Sequence, residues 1–359
     1  MSKIRFLFLM LCLSIASNAC QTAVPAPPPN PAPDINALIA ELEAGDYEEI
    51  HSLLIWHDGQ LLVEEYFRGY DQERPHELYS VTKSITSAGI GIAIEEGAID
   101  GVNEPLTTLM PQYRNVLEQE ADKSRLTLEN VLTMSSGFEW DESSTIYGSS
   151  ENSVTQLTRS TDWLEYVLSQ PLAADPGTTF TYNSGNTMLL GGILSAQTGD
   201  TAERYIAERL FTPLGIETWR WETGRPNITN TGWGLHLTPR EMLAFGRLYL
   251  NDGRWENQQL VPAAWVEQST AAHITADDGY EYGYQWWRYQ DDHEVVRNLA
   301  INDVYFAWGF GGQFIWVVPH LQLVVVTTAH NFENSSQIFP ILPTYIFPWV
   351  QTYVGENPP

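Results

Sequence analysis

The sequence predicts an α/β protein of the α+β kind, in which one antiparallel sheet is completed by segments near both ends of the chain and a mostly helical part is inserted between them. Three observations lead there. Strand-like runs cluster between residues 53 and 66 and return between 282 and 328. Between them, from about 98 to 255, apolar residues recur at helical spacing. No stretch after the first twenty residues is apolar for long enough to cross a bilayer. A cleft for chemistry belongs between the sheet and the helical part.

Taken in chain order, Lys3 and Arg5 precede an apolar run over 6–16 and then small residues up to Cys20. That is the layout of a secretory signal peptide over 1–19. Ser17-Asn18-Ala19-Cys20 resembles a bacterial lipobox, with Ser17 where the pattern has an aliphatic residue. The resemblance implies lipid attachment at Cys20, and ordinary signal cleavage nearby is the alternative. Residues 20–33 continue as a proline-rich linker of the stiff, extended kind. The folded part is expected from about Asp34. Its sheet part spans about 45–97 and 256–359, its helical part about 98–255.

Within that body, 53–56 and 61–66 flank Asp58-Gly59, the signature of a hairpin. The spacing predicts a helix over 80–96 with Gly97 as its stop, and Gly89 and Gly91 inside it point to close packing. Further helices are expected over 128–134, 162–169, 189–197, 202–211 and 239–251. Strands follow over 282–289, 304–308, 313–318 and 321–328. The end, 337–354, is apolar but carries Pro340, Pro343 and Pro348, so any helix there is broken or kinked.

Composition removes several classes of function. The 359 residues carry 45 Asp+Glu against 18 Lys+Arg, a net charge of −27. Such a surface offers no basic face to nucleic acid or to anionic lipid. At 43% hydrophobic residues the chain is too apolar to stay disordered. Lysine is scarce: Lys3, Lys83 and Lys123 are the whole set, and Lys3 lies in the signal.

One of the two remaining lysines stands in Ser80-Val81-Thr82-Lys83, at the start of the expected helix. Positions three apart share a helix face, so Lys83 can reach the Ser80 oxygen. A desolvated lysine loses its proton readily and can activate a hydroxyl. Read alone, the pair is equally a capping serine and a surface lysine. Farther on, Pro176-Gly177 leads into Tyr182-Asn183-Ser184-Gly185-Asn186 before an apolar helix, and a phenol beside a lysine can relay protons. Trp308-Gly309-Phe310-Gly311-Gly312-Gln313 then precedes a strand, where a backbone N–H can serve as an oxyanion donor. Trp140, Trp286, Trp287 and Trp308 are candidates for apolar cleft walls. The stretch from Glu139-Trp140-Asp141-Glu142 to Ser150 reads as a mobile loop over the site.

In this order and spacing the motifs resemble the serine β-lactamase and penicillin-binding-protein superfamily. The nearest branch is that of class C β-lactamase-related esterases and 6-aminohexanoate-oligomer hydrolases. Leu132-Thr133-Met134-Ser135-Ser136-Gly137, Leu237-Thr238-Pro239-Arg240 and Tyr282-Gly283-Tyr284-Gln285-Trp286-Trp287 extend the likeness over nearly the whole mature chain. The resemblance implies Ser80 as acylated nucleophile, Lys83 as its base and Tyr182 as proton shuttle. It implies an oxyanion hole from the N–H of Ser80 and one near Phe310 or Gly311. Ser184 replaces the amide of the family's Tyr-x-Asn motif, with Asn183 or Asn186 as the candidates to substitute for it, and Ser184 and Asn186 are expected at the substrate. The lysine of the family's Lys-Thr-Gly motif is missing, which disfavours β-lactam carboxylates and fits an esterase or amidase. The expectation is an exported, lipid-anchored hydrolase of a small ester, amide or peptide-like substrate. A true β-lactamase or D-Ala-D-Ala carboxypeptidase is the alternative, and a non-catalytic sensor the second. No cofactor is called for. The eight histidines, His51, His76 and His330 among them, show no metal-ligand spacing, and no His-Glu-x-x-His or Gly-x-Ser-x-Gly pattern occurs.

Overall fold

The hairpin expected at Asp58-Gly59 is the seed of an eight-stranded sheet. In a computed structural model of the chain, which describes residues 34–276 and 279–356, β1 (Ile50–His57) and β2 (Gln60–Tyr66) pair antiparallel. Asp58 and Gly59 both take positive φ, as a two-residue hairpin turn with matching twist requires. The residues expected as signal peptide and proline-rich linker, Cys20 among them, lie outside the described residues.

Three short strands, β3 (His76–Glu77), β4 (Arg220–Trp221) and β5 (Leu235–Leu237), form a small second sheet ordered β3-β5-β4. A separate hairpin joins β6 (Arg254–Trp255) and β7 (Gln258–Gln259). The late strands are β8 (Ile274–Thr275), β9 (Tyr280–Tyr282), β10 (Trp287–Tyr289), β11 (Tyr305–Gly309), β12 (Gln313–Val318) and β13 (Leu323–Ala329). The large sheet runs β2-β1-β13-β12-β11-β10-β9-β8. β1 thus pairs with β13, and the two ends of the chain complete one sheet, as expected.

Both faces of its centre are buried, and the alternation sorts residues between two cores. Ile315, Val317, Val324 and Val326 join the larger cluster on the helical side. Phe314, Trp316, Val318, Leu323 and Val325 join the other. A period of two explains why such strands read as continuous apolar runs. The helix Pro239–Leu250 lies on the first face, where Val324 and Ile315 press on Gly246. The second face is covered by α1 (Ile35–Ala44), which the sequence reading did not foresee, together with the C-terminal segment. Asp34 caps α1 by accepting the N–H of Asn36.

The helix expected at 80–96 is α2 (Val81–Glu95), with Gly97 beyond it at φ 74°. A Cβ at Gly91 would lie 2.2 Å from Trp265, the close packing anticipated there. The helix Ser184–Thr198 begins earlier than the apolar run suggested, because the Asn183 side chain accepts the N–H of Asn186 and starts it. The single run expected over 282–289 is two strands, β9 and β10. Gln285 turns between them at φ 67°. Its side chain is buried, with Nε2 donating to Leu132 O at 2.7 Å and Oε1 accepting from Thr187 at 2.7 Å. The apolar end departs from regular α-helix as its prolines imply, with a wider π-helical stretch, Leu342–Ile346, running into the helix Phe347–Glu356.

Candidate active site

Ser80 sits at the first corner of α2, and its hydroxyl takes no part in capping the helix. The residue before it, Tyr79, is held at φ 47°, a conformation costly for a side chain of that size. The turn aims the hydroxyl into a cavity instead of back onto the backbone. Lys83 Nζ lies 2.9 Å from Ser80 Oγ and donates to Gly232 O at 2.8 Å. Only 1% of Lys83 is exposed, so it is no surface lysine. Burial pushes its ammonium down from 10.5 to about 8, while the Glu142 carboxylate pulls the other way. An amine near 8 is within reach of its neutral, proton-accepting form at physiological pH.

Tyr182 completes the group. Its hydroxyl is hydrogen-bonded to Ser80, its ring centre is 5.1 Å from Lys83 Nζ, and the ring stacks on Trp287. Burial first, then the fields of Tyr282 and Glu142, push the phenol well above its ordinary value. The phenol therefore holds its proton more tightly than a free tyrosine does.

Glu142 was read as part of a mobile loop and proves otherwise. Its carboxylate is buried, and accepts from Ser184 N at 2.7 Å, Ser184 Oγ at 2.8 Å and Trp140 Nε1 at 2.6 Å. This corrects the expectation for Ser184: its hydroxyl faces Glu142, not the cavity. Asn186 is likewise buried away from it, with Oδ1 accepting from Ser136 at 2.9 Å. Of the family-like Tyr-x-Asn segment, only Tyr182 reaches the cavity. Trp140 and Trp286 are core side chains, whereas Trp287 and Trp308 line the cavity.

The third motif forms the turn between β11 and β12. Gly309 meets the preceding wall so closely that a Cβ there would lie 2.3 Å from Leu78 O. Phe310 stands at the cavity mouth. Gly311, at φ 79°, is pressed against the ring of Phe332 and is not among the lining residues.

The cavity above Ser80 measures about 790 Å³. Besides Ser80 and Tyr182 its wall is made by Glu142 to Tyr147, Phe180, Tyr280, Trp287, Trp308, Phe310 and Phe332. No arginine or further lysine is among these described residues, and Glu142 is the charged side chain in the wall. Ile146 is 83% exposed at the rim, an apolar side chain with nothing yet to cover. Ile146 and Tyr147 belong to the stretch expected over the site, whereas Phe332 was missed because no local pattern marks it.

The Beta-lactamase family model matches residues 37–338. The chain therefore belongs to the Beta-lactamase family, and it is a hydrolase of that family. It is 26% identical over 353 residues to 6-aminohexanoate-dimer hydrolase of Paenarthrobacter ureafaciens, covering 90% of this chain and 84% of that protein. Among solved structures, it superposes on EstCE1, a hydrolase with promiscuous acyltransferase activity. That match has a TM-score of 0.69 at 17% identity and covers 86% of this chain and 96% of the other. A penicillin-binding protein from Bacillus halodurans matches with a TM-score of 0.66 at 16% identity, over 84% and 98% of the two chains. These structural likenesses show the fold.

Proposed function

We propose that the protein is an exported serine hydrolase that cleaves an ester or amide of an uncharged, apolar acyl group through an acyl-Ser80 intermediate. The observation that carries this is the 2.9 Å contact between Ser80 Oγ and a buried Lys83 whose ammonium is pushed down to about 8. Neutral Lys83 takes the Ser80 proton as Oγ attacks the carbonyl carbon. The carbonyl oxygen takes the negative charge, and the N–H groups of Ser80 and Phe310 are its proposed donors. Collapse expels the alcohol or amine, which receives its proton from Lys83 through Tyr182. Water then attacks the acyl-enzyme by the same route in reverse.

The wall chemistry supports the substrate class. A β-lactam or a peptide ending in D-alanine brings a carboxylate, and the lining offers it no arginine or second lysine while Glu142 repels it. Aromatic walls suit an apolar acyl chain. The N-terminal pattern supports export, with attachment to the membrane through lipidated Cys20. Incorporation of labelled palmitate, lost in Cys20→Ser, tests that part.

The catalytic reading is tested by intact-protein mass spectrometry with a fluorophosphonate and with slow p-nitrophenyl esters. The expected result is one adduct on Ser80 and no hydrolysis above background in Ser80→Ala. An unlabelled Ser80, or undiminished hydrolysis in the variant, overturns it. Turnover of nitrocefin or a muropeptide faster than of p-nitrophenyl esters would overturn the substrate class and leave the nucleophile standing.

A further inference from the structure

Three histidines distant in the sequence meet beside the cavity. His51 lies in β1, His76 in β3, and His330 directly follows β13. His51 Nδ1 and His76 Nε2 are 2.9 Å apart. The His330 ring centre is 4.5 Å from that of His51 and 5.2 Å from that of His76. One ring nitrogen from each of the three lies within 4.8 Å of the other two. Among the described residues this is the one place where three or more histidine, cysteine or acidic side chains converge so closely. His330 N donates to Glu49 O, which fixes the end of β13 beside the start of β1. His51 and His76 are buried, and Tyr70 stacks on His51 at 3.7 Å. His330 is exposed, so the cluster opens to solvent on one side.

We infer that His51, His76 and His330 form a binding site for a transition-metal ion of the Zn²⁺ type, separate from Ser80 and Lys83. Imidazole nitrogens bind Zn²⁺ at about 2.0–2.1 Å, which puts tetrahedral ligands about 3.3 Å from one another. The His51–His76 pair already stands near that separation, and His330 has only to close from 4.8 Å or less. Arg74, stacked over Tyr70, opposes a cation, while the Glu49 carboxylate 3.8 Å from His51 Nε2 favours one, so the three imidazoles are the groups that set which ion is preferred. That selects ions such as Zn²⁺, Ni²⁺ or Cu²⁺ over Mg²⁺ or Ca²⁺, which need oxygen ligands. His330 stacks on Phe332, and Phe332 packs on Phe310 and Tyr79, so an ion held here braces one wall of the cavity.

The test uses the full chain purified without a polyhistidine tag and stripped with chelator. Zn²⁺ is titrated by calorimetry and Co²⁺ by its visible absorption. One ion per chain, with the d–d bands of nitrogen-ligated Co²⁺, is expected. His330→Ala is expected to weaken binding by at least about ten-fold, the scale seen for lost support at metal sites. His320→Ala, at a surface histidine paired with Asp303, is the control and leaves the affinity as it was. Wild-type binding no tighter than that of His330→Ala, or equal weakening in His320→Ala, overturns the site. His330→Asp guards against a folding defect. If it melts with the wild type and restores Co²⁺ binding lost in His330→Ala, the site stands; if it melts with the wild type and binds no better than His330→Ala, the site falls.

Discussion

Two polar clusters lie within a few residues of each other in this fold and were built in opposite ways. Ser80 and Lys83 stand three positions apart on one helical turn, and helix geometry alone brings Nζ to 2.9 Å from Oγ. His51 and His76 come equally close at 2.9 Å, but only because strands of two different sheets end beside each other. The first cluster is a local pattern and the second a product of topology. The difference also separates their chemistry: the lysine is buried beside one carboxylate, while the histidines meet aromatic rings, an arginine and the exposed Glu49.

The largest blow to the first cluster is removal of its base. Lys83→Ala is expected to lower kcat for a p-nitrophenyl ester by about a thousand-fold or more, within the range for lost general-base catalysis. It leaves the three histidines in place, so metal titration of the same variant is expected to match the wild type. A variant that loses both properties would show that the clusters are not independent.

Legibility divides along the same line. β12 and β13 were readable because long β-branched and aromatic runs bounded by turns have few other outcomes. Ser80 and Lys83 were readable because their partnership is written in adjacent positions. Gln285 hid the break between β9 and β10, since a glutamine at positive φ is held by its buried hydrogen bonds and is not a residue type that marks a turn. Ser184 and Asn186 were found in the right segment but pointed the wrong way. Which side of a helix start faces the cavity depends on Glu142, 42 positions earlier in the chain. The histidine cluster could not be seen at all, because its spacing exists only after β1 has paired with β13.

Gly309 links the two regions and gives the second-largest expected effect. Its hydrogen faces Leu78 O, midway between His76 and Ser80, where a Cβ would come to 2.3 Å. Backbone cannot yield as a flexible side chain does, so β11 has to move away from the strand leading to the nucleophile. Gly309→Ala is expected to cost about 1–3 kcal/mol of stability, seen as a lower midpoint in urea, and to lower kcat at the same time. Wild-type activity in Gly309→Ala would mean that this contact does not position Ser80.

The finest distinction concerns Glu142, which acts on Lys83 through its field and on Ser184 and Trp140 through hydrogen bonds. For the wild type, kcat/KM is expected to rise with pH through about 8, as Lys83 loses its proton and becomes a base. The carboxylate favours the ammonium, so it holds that rise at higher pH than burial alone would. Glu142→Gln removes the charge and nearly preserves the shape. Its pH–rate limb is expected to move to lower pH, with more of Lys83 neutral at pH 7. The carboxamide accepts through one oxygen where the carboxylate used two, so stability is expected to fall by about 2 kcal/mol. A limb that stays in place while stability falls would leave Glu142 as a brace for Ser184 with no hold on the base. A limb that moves upward would mean that burial of Lys83, not the charge beside it, changes in the variant.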